Sequence, residues 1–459
     1  MPATVTSEQF LELLHRSQLL DPGRLDAAIS EMSDSVRQVP RSMAEELVRQ
    51  GLLTPYQAGM LLNGKWKGFF IAGGKFKLLQ LLGVGGMGKV YLCEHVRLKR
   101  LVALKVLTLD PNKDPTAIER FTREASAAAS LKSPYIVRAH DIDHDGNMHF
   151  LVMEYVDGSS LQDMVKKHGP MEINRACHYI AQAAIGLQHA HEAGWVHRDI
   201  KPGNLLVDRA GTVKILDMGL ARFFHESPGS GITENLENKA IIGTADYLAP
   251  EQAINSHDVD IRADIYSLGG TLYYLLTGHA PFEQGSQAEK LLAHQMKEPA
   301  PLTNYRADVP QPLEAILKKM MAKKPMHRFQ TPGAVAEALM PWTATPIEPP
   351  AAEEMPRICS ALEPFLAAGS GPLSGVGLPS SGRINVPRSH SSSSYLLRNG
   401  APSASRWLAQ AKRHPGIMSG VAASVLVLLG LTYAFWPKTE PKQPPVVAAN
   451  QKQPDPITP

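Results

Sequence analysis

The chain has 459 residues, 44% hydrophobic and 20% charged, a globular composition rather than a disordered or fibrous one. A formal net charge of +3 provides no broad basic field, so no nucleic-acid partner is expected. Cys93, Cys177 and Cys359 stand far apart with no CxxC pair, which fits a reducing compartment and gives no support to a disulfide framework or a cysteine metal site.

Residues Met1 to Phe10 lack a basic stretch followed by an apolar run, so no signal peptide is expected. Residues 1–65 read as a module of short helices. Phe10, Leu11, Leu14, Leu19 and Leu20 suggest one amphipathic helix. Ser42 and Glu45 have capping-box spacing before Leu47 and Val48, with Gly51 placed to end that helix. Thr54-Pro55 is a cap followed by proline at the first helical position, and Asn63-Gly64 stops the helix. The module packs for stability or docks a partner; its residues carry no chemistry.

From Phe76 the pattern changes. Lys89 to His95, Arg100 to Leu107 and His149 to Val156 read as strands, with a helix after Thr116 that puts Phe121, Ala125 and Ala128 on one face. From about Glu172 the chain reads mostly helical, apart from loops around 195–255. Strand-rich sequence followed by helix-rich sequence predicts an α+β fold in two lobes over residues 76–340.

Residues 341–416 are rich in Pro, Ser, Gly and Ala and are expected to be a disordered juxtamembrane linker. Ile417 to Trp436 contains 20 residues without a charge, enough for a helix of roughly 30 Å, the thickness of the hydrocarbon layer. Trp407, Tyr433 and Trp436 supply interfacial aromatics. Arg398, Arg406, Lys412 and Arg413 precede the span, whereas Lys438 and Lys442 follow it. The positive-inside rule then predicts a single pass through the inner (cytoplasmic) membrane, the N-terminal part in the cytoplasm and residues 437–459 outside.

The candidate chemistry lies in the α+β region. Leu82, Gly83, Val84, Gly85, Gly86, Met87, Gly88, Lys89 and Val90 form a GxGxxGxV loop, in which glycines let backbone N–H groups approach phosphate oxygens. Taken alone it also reads as a hairpin turn. It continues into a strand, unlike a dinucleotide loop, and lacks the Gly-Lys-Ser/Thr of a Walker A loop. Lys105, in Val-Ala-Leu-Lys, would usually face solvent, but two antiparallel strands would return it beneath the loop. Glu124 is either a surface glutamate or the carboxylate that fixes Lys105. Asp199 and Asn204, in His-Arg-Asp-Ile-Lys-Pro-Gly-Asn, can face one site, and Asp217 follows in Asp-Met-Gly. Carboxylate and amide oxygens suit Mg²⁺, although each piece alone is also an ordinary polar turn. Asp141 to Gly146 begins like a calcium loop, but Val152 falls where a carboxylate is needed, so a polar hairpin turn is expected.

Glycine loop, VAxK, helix Glu, HRDxKxxN, D-x-G and Ala249-Pro250-Glu251, in that order, resemble the bacterial serine/threonine protein kinases of eukaryotic type. The resemblance implies ATP beneath the glycine loop and Lys105 on its α- and β-phosphates, paired with Glu124. Glu154 and Val156 would lie at the adenine, and Mg²⁺, or Mn²⁺ in its place, at Asn204 and Asp217. It makes Asp199 the base for a protein-substrate hydroxyl and Lys201 the γ-phosphate contact and the mark of serine/threonine specificity. Thr244 would close the substrate pocket, Glu251 would pair with Arg328, and Asp264 would brace the lobe. Met218 departs from the usual phenylalanine. Ser227, Ser230 and Thr233 are the candidate activation-loop hydroxyls, with Glu234 or Glu237 as substitutes for phosphate. A catalytically inactive scaffold is the alternative reading. A signal would enter through residues 1–65 or through a homodimer, formed by the kinase-like region or the span.

Overall fold

The computed structural model describes residues 5–85, 88–107, 117–218, 245–254 and 259–369. Short helices come first: α1 (Ser7–Ser17), α2 (Pro22–Glu31), α3 (Asp34–Arg37), α4 (Pro40–Arg49) and α5 (Pro55–Leu62). Thr6 with Gln9, and Thr54 with Gln57, form reciprocal capping boxes on α1 and α5. The box expected at Ser42 and Glu45 is absent. Pro40, its φ preset for a helix, occupies the first position of α4 and leaves Ser42 inside the first turn. Gly51 follows α4 with φ +69°, a left-handed stop that favours glycine. Phe10, Leu14, Leu25, Met43, Leu47, Leu53 and Leu61 make the module's buried core.

The next strands are β1 (Phe70–Ile71), β2 (Phe76–Gly85), β3 (Gly88–His95), β4 (Arg100–Leu107), β5 (Ala139–Asp145) and β6 (Met148–Glu154). They form an antiparallel sheet in the order β1-β2-β3-β4-β6-β5. Helix α6 (Ala117–Ala128) buries Phe121 and Ala125 against Ala103, Leu107, Leu151 and Met153 of this sheet. The β5–β6 carboxylates have structural partners. Asp141 and Asp143 meet Lys75 Nζ at 3.2 and 2.8 Å, and Asp145 accepts the Ala72 N–H.

The larger lobe holds the small sheet β7 (Gly158–Ser160), β8 (Leu205–Asp208) and β9 (Val213–Ile215). Its helices are α7 (Leu161–His168), α8 (Ile173–Glu192), α9 (Pro250–Ile254), α10 (Ile261–Thr277), α11 (Gln287–Met296), α12 (Gln311–Met320), α13 (Pro332–Ala338) and α14 (Met340–Thr343). Ala176, Ala183, Ala184 and Gly186 give α8 a small-residue surface. A Cβ at Gly186 would come within 2.8 Å of Ile215 Cδ1, so this glycine permits helix and strand to touch.

The linker expected from residue 341 differs in the structure. Through residue 369 the chain lies against both lobes and ends in α15 (Glu363–Gly369). Its few apolar residues suffice: Met355 buries in the larger lobe's core, and Leu362 against Leu79 and Leu92. Glu354 accepts a two-pronged contact from Arg175, both N···O distances 2.7 Å. The rest of the expected linker, the 417–436 span and the 437–459 tail lie outside the described residues. Among the described residues, no helix is long and apolar enough to cross a membrane.

Candidate active site

Antiparallel register places Val90 opposite Lys105 and Gly88 opposite Leu107, so β4 carries Lys105 back beneath the turn between β2 and β3. Leu82, Gly83, Val84 and Gly85 close β2, and Gly88, Lys89 and Val90 open β3. Gly86 and Met87 lie outside the described residues. At Gly88, with φ +141°, a Cβ would collide with the Val106 carbonyl oxygen, so the crossing of strands itself requires glycine. At Gly83 and Gly85 a Cβ would meet no atom within 4 Å.

Lys105 is 4% exposed, and its Nζ lies 2.7 Å from Asp217 Oδ1. Burial raises the Asp217 carboxyl, but the Lys105 ammonium, with further charge from Lys201, brings it below the ordinary carboxylate range. Glu124 lies on α6, and its side chain falls outside the described set. The Glu154 carboxylate is engaged by Lys214 Nζ at 2.8 Å and by the Arg138 N–H at 3.2 Å. Its N–H donates to the Arg138 carbonyl at 2.9 Å, which leaves the Glu154 carbonyl, with the backbone of Val156 beyond β6, as the part suited to meet a ligand.

The Asp199 carboxylate is held on both oxygens. Lys201 Nζ lies 3.0 and 2.8 Å from Oδ1 and Oδ2, and Asn204 Nδ2 donates to Oδ2 at 3.0 Å and to the Asp199 carbonyl at 2.8 Å. Both hydrogens of the Asn204 amide are thereby used, and its oxygen remains for another partner. Asn204 Oδ1 and the Asp217 carboxylate are the kind of hard oxygen donors that fit Mg²⁺.

A buried framework fixes this loop. His197 Nδ1 accepts the Asp199 N–H at 3.2 Å and Nε2 lies 2.7 Å from the Leu216 carbonyl, which selects the Nε2–H tautomer. Asp264 accepts the N–H groups of His197 and Arg198 at 2.7 and 2.8 Å. Burial pushes its carboxyl above the ordinary range, against the lowering influence of His197. Arg198 and Asp217 have φ of +68° and +57°, left-handed conformations that cost roughly 1–3 kcal/mol each in a non-glycine residue. Both flank the Asp199 loop, and the surrounding hydrogen bonds hold them there. Gln252 Nε2 donates to the Arg198 carbonyl at 2.9 Å, and Arg328 forks onto Glu251 at 2.6 and 2.7 Å. Met218 is buried in the larger lobe's core. Gly219 to Thr244, including Ser227, Ser230, Thr233, Glu234 and Glu237, lie outside the described residues.

Sequence reasoning missed three parts of this arrangement: the Lys105–Asp217 pair, the Gln252 tie and His294. His294 on α11 is buried, with Nδ1 2.8 Å from Tyr266 Oη, while Lys290 of the same helix reaches Asp246 at 2.6 Å. Burial and the nearby Lys323 charge lower the His294 pKa to about 4. The unfolded chain takes up this proton near pH 6.5, before the folded protein does. Stability is therefore fullest above about pH 6.5 and is lost as pH falls towards 4, at up to about 1.4 kcal/mol per pH unit. Melting curves from pH 7 to 5 should show this slope in the wild type and a shallower one in His294→Gln. Equal slopes would reject the assignment.

The Lys105–Asp217 pair beneath the β2–β3 turn thus stands beside a braced Asp-Lys-Asn loop. The protein kinase domain family matches residues 76–340, more than half of the chain, and the chain belongs to that family. Serine/threonine-protein kinase PknB of Mycolicibacterium smegmatis is 41% identical over 261 residues, covering 56% of this chain and 41% of that protein. PknB of Mycobacterium tuberculosis is 39% identical over 307 residues, covering 66% and 47%. Serine/threonine-protein kinase PrkC of Bacillus subtilis is 37% identical over 258 residues, covering 56% and 39%. The chain spans less than half the length of these relatives.

Proposed function

We propose that the chain is an ATP-dependent serine/threonine protein kinase anchored to a membrane. The observation that carries this reading is the Asp199 carboxylate, held by Lys201 and Asn204, together with the Lys105–Asp217 ion pair. Lys105 holds the α- and β-phosphates of ATP, and Glu124 takes part in fixing it. The loop through Gly83, Gly85, Gly86 and Gly88 covers the phosphates, with open space where Cβ atoms would stand at Gly83 and Gly85. Glu154 and Val156 meet the adenine through their backbones. Bound Mg²⁺ supplies neutralisation of the phosphate charge, and Asn204 and Asp217 would hold it.

Asp199 orients the substrate hydroxyl in line with the γ-phosphorus and accepts its proton as the new O–P bond forms. The bond to the β-phosphate oxygen breaks, and ADP leaves. Lys201 steadies the transferring group, so the residues act by positioning and by charge. Serine/threonine specificity is supported by Lys201 and by the relatives, which are named serine/threonine-protein kinases. The same activity is proposed to modify the chain itself, with Thr233 the candidate site, and the uncharged stretch 417–436 to form the anchor.

Full-length protein incubated with radiolabelled ATP, Mg²⁺ and a generic protein substrate should yield phosphoserine and phosphothreonine. Lys105→Met should lower the rate by at least about 100-fold. Label on tyrosine, or equal labelling by Lys105→Met, would overturn the reading. The chain should also remain in carbonate-washed membranes; its complete release would remove the anchor.

A further inference from the structure

Two segments outside the matched domain converge on one short stretch of it. Thr54 Oγ1, at the start of α5, donates to the Leu79 carbonyl, and Gln57 Nε2 donates to the Leu78 carbonyl at 2.7 Å. The Leu79 side chain is buried with Leu92 and with Leu362, which belongs to the segment after the domain. The pairing of β2 with β3 is irregular here, slipping between Leu78 and Gln80 and again between Leu81 and Gly83. A bulged strand bends and forgoes part of its ladder, so its direction depends on what holds it from outside. Leu82, where the glycine loop begins, follows directly.

The later segment reaches this point by crossing the connection between the lobes. The Thr345 carbonyl lies 2.7 Å from His178 Nε2, and Glu354 meets Arg175. Ser159 Oγ donates to the Glu354 carbonyl at 2.7 Å, and Arg209 Nη2 donates to the Pro356 carbonyl at 2.7 Å. The same Arg209 holds Asp157, two residues beyond Tyr155, and Tyr155 packs on the Leu79–Leu92–Leu362 cluster. Residue 360 then lies against the turn after α4: a Cβ on Gly51 would stand 3.3 Å from the Ser360 backbone. The strap is thus fastened to the larger lobe by these polar contacts and by buried Met355, and to the smaller lobe by a small apolar cluster.

We propose that Leu362 is a positioning residue for the nucleotide. Packed on Leu79 of β2 and Leu92 of β3, it sets, together with Thr54, the angle at which the glycine loop leaves the sheet, and so sets affinity for the nucleoside triphosphate without touching it. The proposal rests on the kinase reading above.

The test uses the full-length chain with Leu362→Ala, Leu362→Met and Glu354→Gln. Leu362→Ala should raise KM for ATP by about 5- to 10-fold. Its kcat and its KM for the protein substrate should stay unchanged. Amide exchange should quicken over residues 78–92 and not over α8. Leu362→Met, which conserves volume, should restore the ATP KM, and Glu354→Gln should shift it in the same direction as Leu362→Ala. An unchanged ATP KM in Leu362→Ala would overturn the proposal. So would a uniform loss of kcat and thermal stability with no selective change in KM, because that is the signature of general destabilisation. Wild-type protein that neither binds nor consumes ATP would overturn the kinase reading itself, before any variant is compared.

Discussion

Asparagine in place of Asp199 should lower kcat by about 10³-fold, within the range general-base groups contribute, and leave the ATP KM nearly unchanged. The reason lies in how the carboxylate is held. Lys201 approaches both oxygens and Asn204 donates to one of them, so in the wild type every neighbouring side-chain donor has an acceptor. An asparagine amide keeps the shape but cannot take the substrate proton. It also turns an NH₂ towards Lys201 or Asn204, so a donor faces a donor. That second effect costs roughly 1–3 kcal/mol and should appear as a modest fall in melting temperature. The chemical effect is much larger, and the two separate when kcat is measured well below the melting transition. Residual activity within about tenfold of wild type would assign the proton to another group.

Legibility from sequence followed locality. Asp199, Lys201 and Asn204 lie within one short loop, so their spacing alone brings them together, and the structure shows them in direct contact. Thr54 as a cap was readable because a capping box is a local pattern. Its second partner, the Leu79 carbonyl, was not, since a backbone acceptor leaves no signature in the sequence. The Lys105–Asp217 contact joins residues over a hundred positions apart, and the sequence pointed to Glu124 as the Lys105 partner and to Asp217 only as a metal ligand. Proline at residue 40 moved a helix start that Ser42 and Glu45 alone would have placed later. The strap misled for a different reason. Its composition is that of a disordered segment, yet Glu354, Met355 and Leu362 each meet a prepared partner. Two buried apolar residues seven positions apart and one ion pair, with a proline among them, produce no periodicity to detect.

Arg328→Met should cost about 3–5 kcal/mol of stability, the scale for breaking one side of a buried ion pair. For a domain of this size that is a fall of roughly 10 °C in melting temperature. Arg328 is 2% exposed. Beyond its fork onto Glu251, it donates to the carbonyls of Ala322, Arg262 and Lys323 at 2.7, 2.8 and 3.0 Å. Its guanidinium also lies 4.8 Å from the centre of the Tyr266 ring. Methionine replaces the stem and none of the donors, so a carboxylate and three carbonyls lose partners together. Glu251→Gln should cost less, because its side chain retains partial exposure and an amide oxygen can still accept from the guanidinium. If the two residues act as a pair, the double variant will be more stable than the sum of the single losses predicts, by about 1–3 kcal/mol. Strict additivity would mean that the carbonyl contacts, not the ion pair, carry the stability. Glu251 adjoins Gln252, which holds the Arg198 carbonyl one residue before Asp199. The Arg328 variant, assayed cold while still folded, should therefore lose kcat while keeping its ATP KM. That is the opposite split from Leu362→Ala, and observing both would show that the two lobes of the site are positioned by separate devices.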